Sequence, residues 1–86
     1  MAPGIESLPG LGPLSAEWLR GVGISTTDQL RDTGPVVAYL RVEQSGVKPS
    51  LNLLWALYGA LHDKPWTDVS ADEKAALKRE LKELLG

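Results

Sequence analysis

Apolar residues recur at helical intervals along most of the chain, and no segment alternates apolar and polar residues over the length of a strand. Leu14, Trp18 and Leu19 stand at positions i, i+4 and i+5, which places them on one side of a helix. Near the C-terminus a similar helical spacing is set by Leu77, Leu81, Leu84 and Leu85. Lysines and glutamates fill the positions opposite these leucines. The pattern predicts an all-α protein, a small helical domain of about five helices.

Prolines, glycines and capping residues predict where these helices begin and end. The five main helices are predicted over residues 13–22, 26–33, 35–44, 50–62 and from Ser70 onward, with a short helical segment before them at 3–8. Thr26 with Gln29, and Ser70 with Glu73, have the spacing of a capping box. Gly23 follows the first main helix, where a left-handed residue is favoured.

The stretch "SLNLLWALYGALH", residues 50–62, has almost no polar face. A helix that is apolar nearly all round is normally buried, so this one is predicted to be the central helix, with Leu54 in the core. Ser50 is the expected N-cap. Gly59 and Ala60 would let a neighbouring backbone approach this helix closely.

The composition fits one small domain over residues 1–86. The hydrophobic fraction is 43% of 86 residues, so most apolar side chains must share a single core. The chain has no cysteine, which excludes disulfides and thiolate metal sites and fits a cytoplasmic protein. No signal segment is visible, and the longest apolar run, residues 53–61, is about half of the ~20 residues that span a membrane. No membrane partner is therefore expected.

A glycine hairpin, "PGLGP", precedes the first main helix. The first amides of a helix lack partners within the helix, and glycine lets an oxyanion approach the backbone. A DNA phosphate could therefore meet the amides of Gly12, Leu14 and Ser15 and the Ser15 hydroxyl, with Arg20 as the nearest cation. Together with Gly10 these residues form a candidate phosphate-binding site.

The same hairpin also has the form of a tight corner between two packed helices, since glycine and proline are the commonest turn residues. The net charge is −2 and the pI is near 5.2, whereas nucleic-acid binders usually carry a basic excess. Glu6 and Glu17 flank the hairpin and would repel a phosphate backbone. We therefore interpret the hairpin as a structural corner first, and expect any DNA binding through it to be weak.

Few residues suggest catalysis. His62 is followed by Asp63, a pair that could act as a general base with its orienting group, but a histidine there is more typical of contact with the last carbonyls of a helix. No motif marks a nucleophile, and no spacing suggests a metal site. Neither an enzyme nor a cofactor is expected.

The three tryptophans and the basic residues of the last helix have structural interpretations. Trp18 and Trp55 lie on apolar faces and are expected in the core, whereas Trp66, in a loop, either secures the last helix or stands exposed. Lysines of the last helix alternate with glutamates, so a solvated face with internal ion pairs is expected.

In their order and spacing, "LPGLGPLSAEWL", "VGISTTDQL" and "LNLLWALYGAL" resemble the C-terminal domain of the TfoX/Sxy family of DNA transformation (competence) regulators. The resemblance covers nearly the whole chain and implies an all-helical domain with a helix-hairpin-helix-like start, in proteins linked to bacterial natural competence. With the acidic balance, it favours a non-enzymatic regulatory module that binds a protein partner, such as a transcription factor or polymerase subunit. The alternative is nonspecific binding of the DNA backbone through the hairpin at residues 10–12.

Overall fold

The helix starts carry most of the caps that the sequence predicts. The Gln29 amide donates to Thr26 Oγ1 over 3.1 Å, and Gln29 Oε1 accepts from the Thr26 amide over 3.2 Å. The Glu73 amide donates to Ser70 Oγ over 3.1 Å, and the Glu73 carboxylate accepts from the Ser70 amide over 3.0 Å. Both predicted capping boxes are therefore confirmed. Ser50 stands at the N-cap of its helix as predicted, but its side chain makes no capping hydrogen bond, so that part of the prediction is wrong.

Five α-helices are present in the computed structural model, which describes residues 4, 5, 8 and 11–85. They are α1 (Pro13–Gly21), α2 (Thr27–Thr33), α3 (Pro35–Gln44), α4 (Leu51–Leu61) and α5 (Ala71–Leu85), with a 3-10 turn at Trp66–Asp68. Extended pairing among the described residues amounts to one isolated bridge, between Gly4 and Thr26. The predicted all-α class is confirmed.

The N-terminal segment is tied to the loop before α2. Ile5 is fully buried, and its amide donates to the Ser25 carbonyl over 3.1 Å. The short helix predicted at residues 3–8 falls partly outside the described residues, which lack 3, 6 and 7. The helix-hairpin-helix-like form of this region stays a prediction, because residues 9 and 10 also lie outside them.

The helix α4 is central, as its apolar sequence predicts. It contacts α2, α3 and the 3-10 turn, and Leu54 is fully buried within it. The exposed residues of α4 are in its first turn, at Leu51 and Asn52. The helix α5 lies against α3 and buries Leu77, while Leu84 near its C-terminal end is 52% exposed.

The corner between α1 and α2 is closed by backbone hydrogen bonds. Gly23 has φ of +87°, and its amide donates to the Arg20 carbonyl over 3.1 Å. The Ile24 amide donates to the Leu19 carbonyl over 2.9 Å, and both of these side chains are buried. This is a Schellman motif with its accompanying apolar contact. The predicted role of Gly23 at the end of the helix is confirmed.

The α4–α5 loop, residues 62–70, folds back onto α4. The Lys64 amide donates to the Gly59 carbonyl over 2.9 Å, while Asp63 takes the left-handed conformation with φ of +59°. A Cβ at position 59 would lie only 2.6 Å from the Lys64 carbonyl oxygen. The close backbone approach predicted at Gly59 is therefore confirmed, and it places the 3-10 turn against α4.

Candidate interaction site

An open pocket of about 220 Å³ lies where the starts of α1 and α4 meet the α4–α5 loop. Its lining comes from these three segments, and consists of Ser15, Ser50, Asn52, Leu53, Ala56 and Trp66. Asn52 and Ala56 lie one turn apart on α4, and the loop that folds back on Gly59 brings Trp66 over the same face. We call this feature the Trp66 pocket.

Large apolar side chains are exposed in the Trp66 pocket and at positions next in sequence to its lining residues. Trp66 itself is 40% exposed, which decides between the two interpretations of its loop position in favour of exposure. Leu14 precedes Ser15, a lining residue, and is 57% exposed. Leu51 lies between Ser50 and Asn52 and is 38% exposed. A tryptophan exposed in the wall of a pocket is typical of a protein-binding site.

The polar part of the pocket comes from two helix starts. Gly12 and Ser50 are the N-caps of α1 and α4, and neither start has a side-chain cap or an acidic residue in its first turn. The hydroxyls of Ser15 and Ser50 and the amide of Asn52 add polar groups to the lining. The pocket can therefore accept an apolar group against Trp66 and hydrogen-bond polar atoms on its other side.

The structure brings three of the predicted phosphate-site residues together. Gly12, Leu14 and Ser15 form the start of α1, and Gly12 and Leu14 are exposed. Arg20 lies in the last turn of the same helix, roughly 12 Å along its axis from Gly12 at ~1.5 Å per residue. Gly10 lies outside the described residues, as does Glu6 of the two acids that flank the hairpin. The phosphate-binding role of these residues stays a prediction.

A cluster of polar groups around Glu73 ties the loop to α5. Lys64 Nζ donates to both carboxylate oxygens of Glu73 over 2.8 Å, and the Tyr58 hydroxyl donates to Oε2 over 2.6 Å. With the bond from the Ser70 amide, the carboxylate accepts hydrogen bonds from α4, the loop and the start of α5. We call this group the Glu73 cluster.

The contacts of the Glu73 cluster change the acidity of two of its members. Hydrogen bonds from Lys64, then Tyr58 and the Ser70 amide, lower the pKa of Glu73 from its ordinary 4.5 to about 2. The hydrogen bond to Glu73 raises the pKa of the Tyr58 hydroxyl. The carboxylate is therefore ionised and the phenol protonated at neutral pH, which is the state these hydrogen bonds require.

Of the two tryptophans predicted in the core, Trp55 is buried there, whereas Trp18 is only partly buried and packs against the core. Lys74 Nζ and Lys78 Nζ lie 5.5 and 5.9 Å from the centroid of the Trp55 ring. Among the described residues no ion pair within α5 is present, and two of its lysines, Lys74 and Lys78, contact the Trp55 ring instead. The His62 ring lies 4.1 Å from the Tyr58 ring, while the His62 amide donates to the Tyr58 and Gly59 carbonyls.

Two kinds of site are missing from the part of the chain that the structure describes. No group of histidine and acidic side chains is arranged to hold a metal ion in residues 4, 5, 8 and 11–85. No helix within these residues has the length and apolar character to cross a membrane.

Sequence reasoning missed the Trp66 pocket and the link between Lys64 and Glu73. The capping box located the Glu73 carboxylate, but a lysine nine residues earlier is not a recognised partner at helical or turn spacing. The pocket combines residues from α1, α4 and the loop, and only the folded chain brings them together. The exposed loop tryptophan was the one available signal.

Comparisons with known proteins agree on a family. The chain matches the TfoX C-terminal domain over residues 1–81. Its fold is similar to a crystal structure of an uncharacterized protein from Listeria monocytogenes in a triclinic form, with a TM-score of 0.86, 28% identity and coverage of 98% of this chain and 96% of that one.

A tetragonal form of a Listeria monocytogenes protein of unknown function is similar as well, with a TM-score of 0.83, 29% identity and coverage of 93% and 99%. No curated protein matches the chain in sequence. The family match extends over most of the chain, from the N-terminal segment to Leu81 in α5, so the resemblance seen in the sequence is confirmed. The chain belongs to the TfoX C-terminal domain family.

Proposed function

We propose that this protein is a non-enzymatic interaction module of a competence-related regulator, and that it binds a partner protein through the Trp66 pocket. The observation that carries the proposal is the 40% exposure of Trp66 in the wall of an open pocket. Tryptophan is enriched among the residues that dominate binding energy at protein interfaces. A transcription factor or a polymerase subunit is the kind of partner that the family's regulatory role suggests.

The size of the pocket supports a protein partner over a metabolite. Its volume of about 220 Å³ is below the ~300–1,000 Å³ typical of pockets for drug-sized ligands. A space of that size accommodates a side chain presented by a larger surface. Leu14 and Leu51, exposed beside the lining residues, would extend the contact beyond the pocket itself.

Charge supports protein over DNA as the partner. Binding to duplex DNA depends on lysine and arginine contacts to phosphates, which release counterions. Leu14 occupies the first turn of α1 and exposed Glu17 the next, while Arg20 stands at the far end of that helix. The protein as a whole carries a net charge of −2. A phosphate contact at the amides of α1 would therefore add little affinity without a neighbouring cation.

A photo-cross-linking phenylalanine analogue placed at position 66, in cells that express the regulator, tests the proposal. The same analogue at position 84 is the matched control, because Leu84 is exposed to a similar degree on α5. A partner captured only from position 66 is then purified for calorimetry. Trp66→Ala should weaken its binding by about 30-fold or more, as for an interface hot spot, while Leu84→Ala should change it by less than about threefold. Equal losses from both variants, or none from Trp66→Ala, would contradict the proposal.

Fluorescence anisotropy with a short labelled duplex tests the alternative. We expect weak binding at low salt and none near physiological salt, because few counterions would be released. Submicromolar binding at physiological salt would favour the DNA function, provided that Arg20→Glu abolishes it in a variant that stays folded.

A further inference from the structure

The α4–α5 loop is held on either side of Trp66 by two different anchors. Before it, Lys64 is fixed by its amide bond to the Gly59 carbonyl and by its side-chain bonds to Glu73. After it, Val69 is buried in the core. The Trp66 side chain lies between these anchors and forms part of the pocket wall.

Hydrogen bonding between the anchors is internal to the loop. The Asp68 amide donates to the Pro65 carbonyl over 2.9 Å, and the Val69 amide donates to the Trp66 carbonyl over 3.3 Å. These bonds shape the 3-10 turn, whose backbone at Pro65 and Trp66 packs closely against Gly59 of α4. The position of Trp66 therefore depends on this packing together with the two anchors.

We propose that Glu73 is a positioning residue for the Trp66 pocket: by holding Lys64 it fixes Trp66 in the pocket wall, so that the Lys64–Glu73 pair tunes partner affinity. The part about affinity rests on the proposed function of the pocket. The part about the position of Trp66 does not, and can be measured on the isolated protein.

The Lys64–Glu73 pair is suited to this role because it is partly shielded from water. The two side chains are 28% and 27% exposed, whereas the other ion pair among the described residues, Arg31–Asp28, is 63% and 74% exposed. Solvent and salt weaken the second pair far more than the first. The Tyr58 ring, 5.5 Å from Lys64 Nζ, further confines the ammonium group.

NMR of the Trp66 indole tests the positioning directly. The ¹H–¹⁵N cross-peak of its indole N–H is assigned by its loss in Trp66→Phe. In Glu73→Gln the glutamine still completes a capping box, so the start of α5 is kept while the charge that holds Lys64 is removed. We expect the indole cross-peak to shift or broaden in Glu73→Gln and in Lys64→Met, and to return to its wild-type position in Lys64→Arg.

Two control variants separate positioning from general stability. Ser70→Ala removes the side-chain cap of α5 and leaves the acceptors for Lys64 intact. Asp28→Asn removes the exposed ion pair on α2. Both should leave the Trp66 cross-peak in place. An equal shift in Ser70→Ala would overturn the proposal, because it would show that any weakening of α5 moves Trp66.

Partner binding then completes the test. Lys64→Met should weaken binding by about threefold to tenfold, the size expected of a residue that acts through another, and Lys64→Arg should restore it. An unmoved indole cross-peak in Glu73→Gln and Lys64→Met would overturn the positioning role, even if Trp66→Ala abolishes partner binding. A moved cross-peak with partner binding insensitive to Trp66→Ala would support the positioning and contradict the proposed function alone.

Discussion

The α1–α2 corner and the α4–α5 loop both reverse the chain between helices and both use a backbone hydrogen bond at a helix end, but the loop adds bonds between side chains. The corner is a Schellman motif, closed by backbone hydrogen bonds and the burial of Ile24. The loop has a comparable backbone bond, from the Lys64 amide to the Gly59 carbonyl, and is held in addition by side chains, with Lys64 and Tyr58 bonded to the carboxylate of Glu73. At the left-handed position the corner has Gly23, whereas the loop has Asp63.

The two connections differ in how far they can change without loss of the fold. Backbone bonds and a buried isoleucine in the corner resist salt, pH and most surface substitutions. Charged side chains in the loop respond to all three. The loop is also the connection that carries Trp66 to the pocket, so the adjustable connection lies at the candidate interaction site.

The largest expected effect is on the core that both connections share. Leu54→Ala should lower the free energy of unfolding by roughly 2–5 kcal/mol, because a fully buried leucine leaves a cavity in α4. Urea denaturation followed by circular dichroism measures this loss. A loss under about half a kcal/mol, as for an exposed site, would contradict the central position of α4.

The next largest effects are expected from two glycine substitutions, one of which should lower the stability of the protein and the other raise it. Gly59→Ala should destabilise the protein by about 1–3 kcal/mol, because its Cβ would overlap the Lys64 carbonyl oxygen. Gly21→Ala, at the end of α1 with no atom within 4 Å of its Cβ, should stabilise it by about 0.4–1 kcal/mol. Thermal denaturation of both variants compares the two regions. If both substitutions stabilised or both destabilised the protein, the close backbone contact at Gly59 would not distinguish it from Gly21.

A smaller effect is expected from the left-handed residue of the corner. Gly23→Ala should cost about 1–2 kcal/mol, since φ of +87° strains any residue with a Cβ. The space around Gly23 is open, so the cost would come from backbone strain alone. Urea denaturation measures it, and an unchanged midpoint would show that the corner can close without a left-handed glycine.

The smallest expected effect is the response of the loop to acid. The pKa of Glu73 is about 2 in the folded protein against an ordinary 4.5, so its contribution to stability is complete above pH 4.5 and is lost as the pH falls toward 2. Urea midpoints measured across that range should fall in the wild type. They should fall less in Lys64→Met, because Lys64 is the largest cause of the lowered pKa. An equal fall in both would assign the acid response to other carboxylates.

Local signals in the sequence predicted the helices and one of the two connections. Thr26 with Gln29 and Ser70 with Glu73 lie three residues apart, so their reciprocal hydrogen bonds follow from spacing alone. Gly23 after an amphipathic stretch predicts a helix end for the same reason. The central place of α4 followed from its apolar residues, since few polar side chains were left to face water.

The candidate site could not be predicted to the same extent. Trp66 and Ser15 of α1 line one pocket only because the loop folds back on Gly59, and no spacing in the sequence encodes that arrangement. The bond from Lys64 to Glu73 likewise depends on how the loop reverses. Ser50 shows the opposite failure, because a residue suited to capping stands at the N-cap without making the bond.

The contact at Gly59 also has a consequence for the order of folding. The Lys64 carbonyl packs where a side chain would otherwise project from α4, and the Lys64 amide needs the Gly59 carbonyl at the end of that helix. The loop can therefore dock only on a helix that has already formed. We expect the contacts of the loop to form after the transition state for folding, so that substitutions there mainly accelerate unfolding, while substitutions inside α4 mainly slow folding.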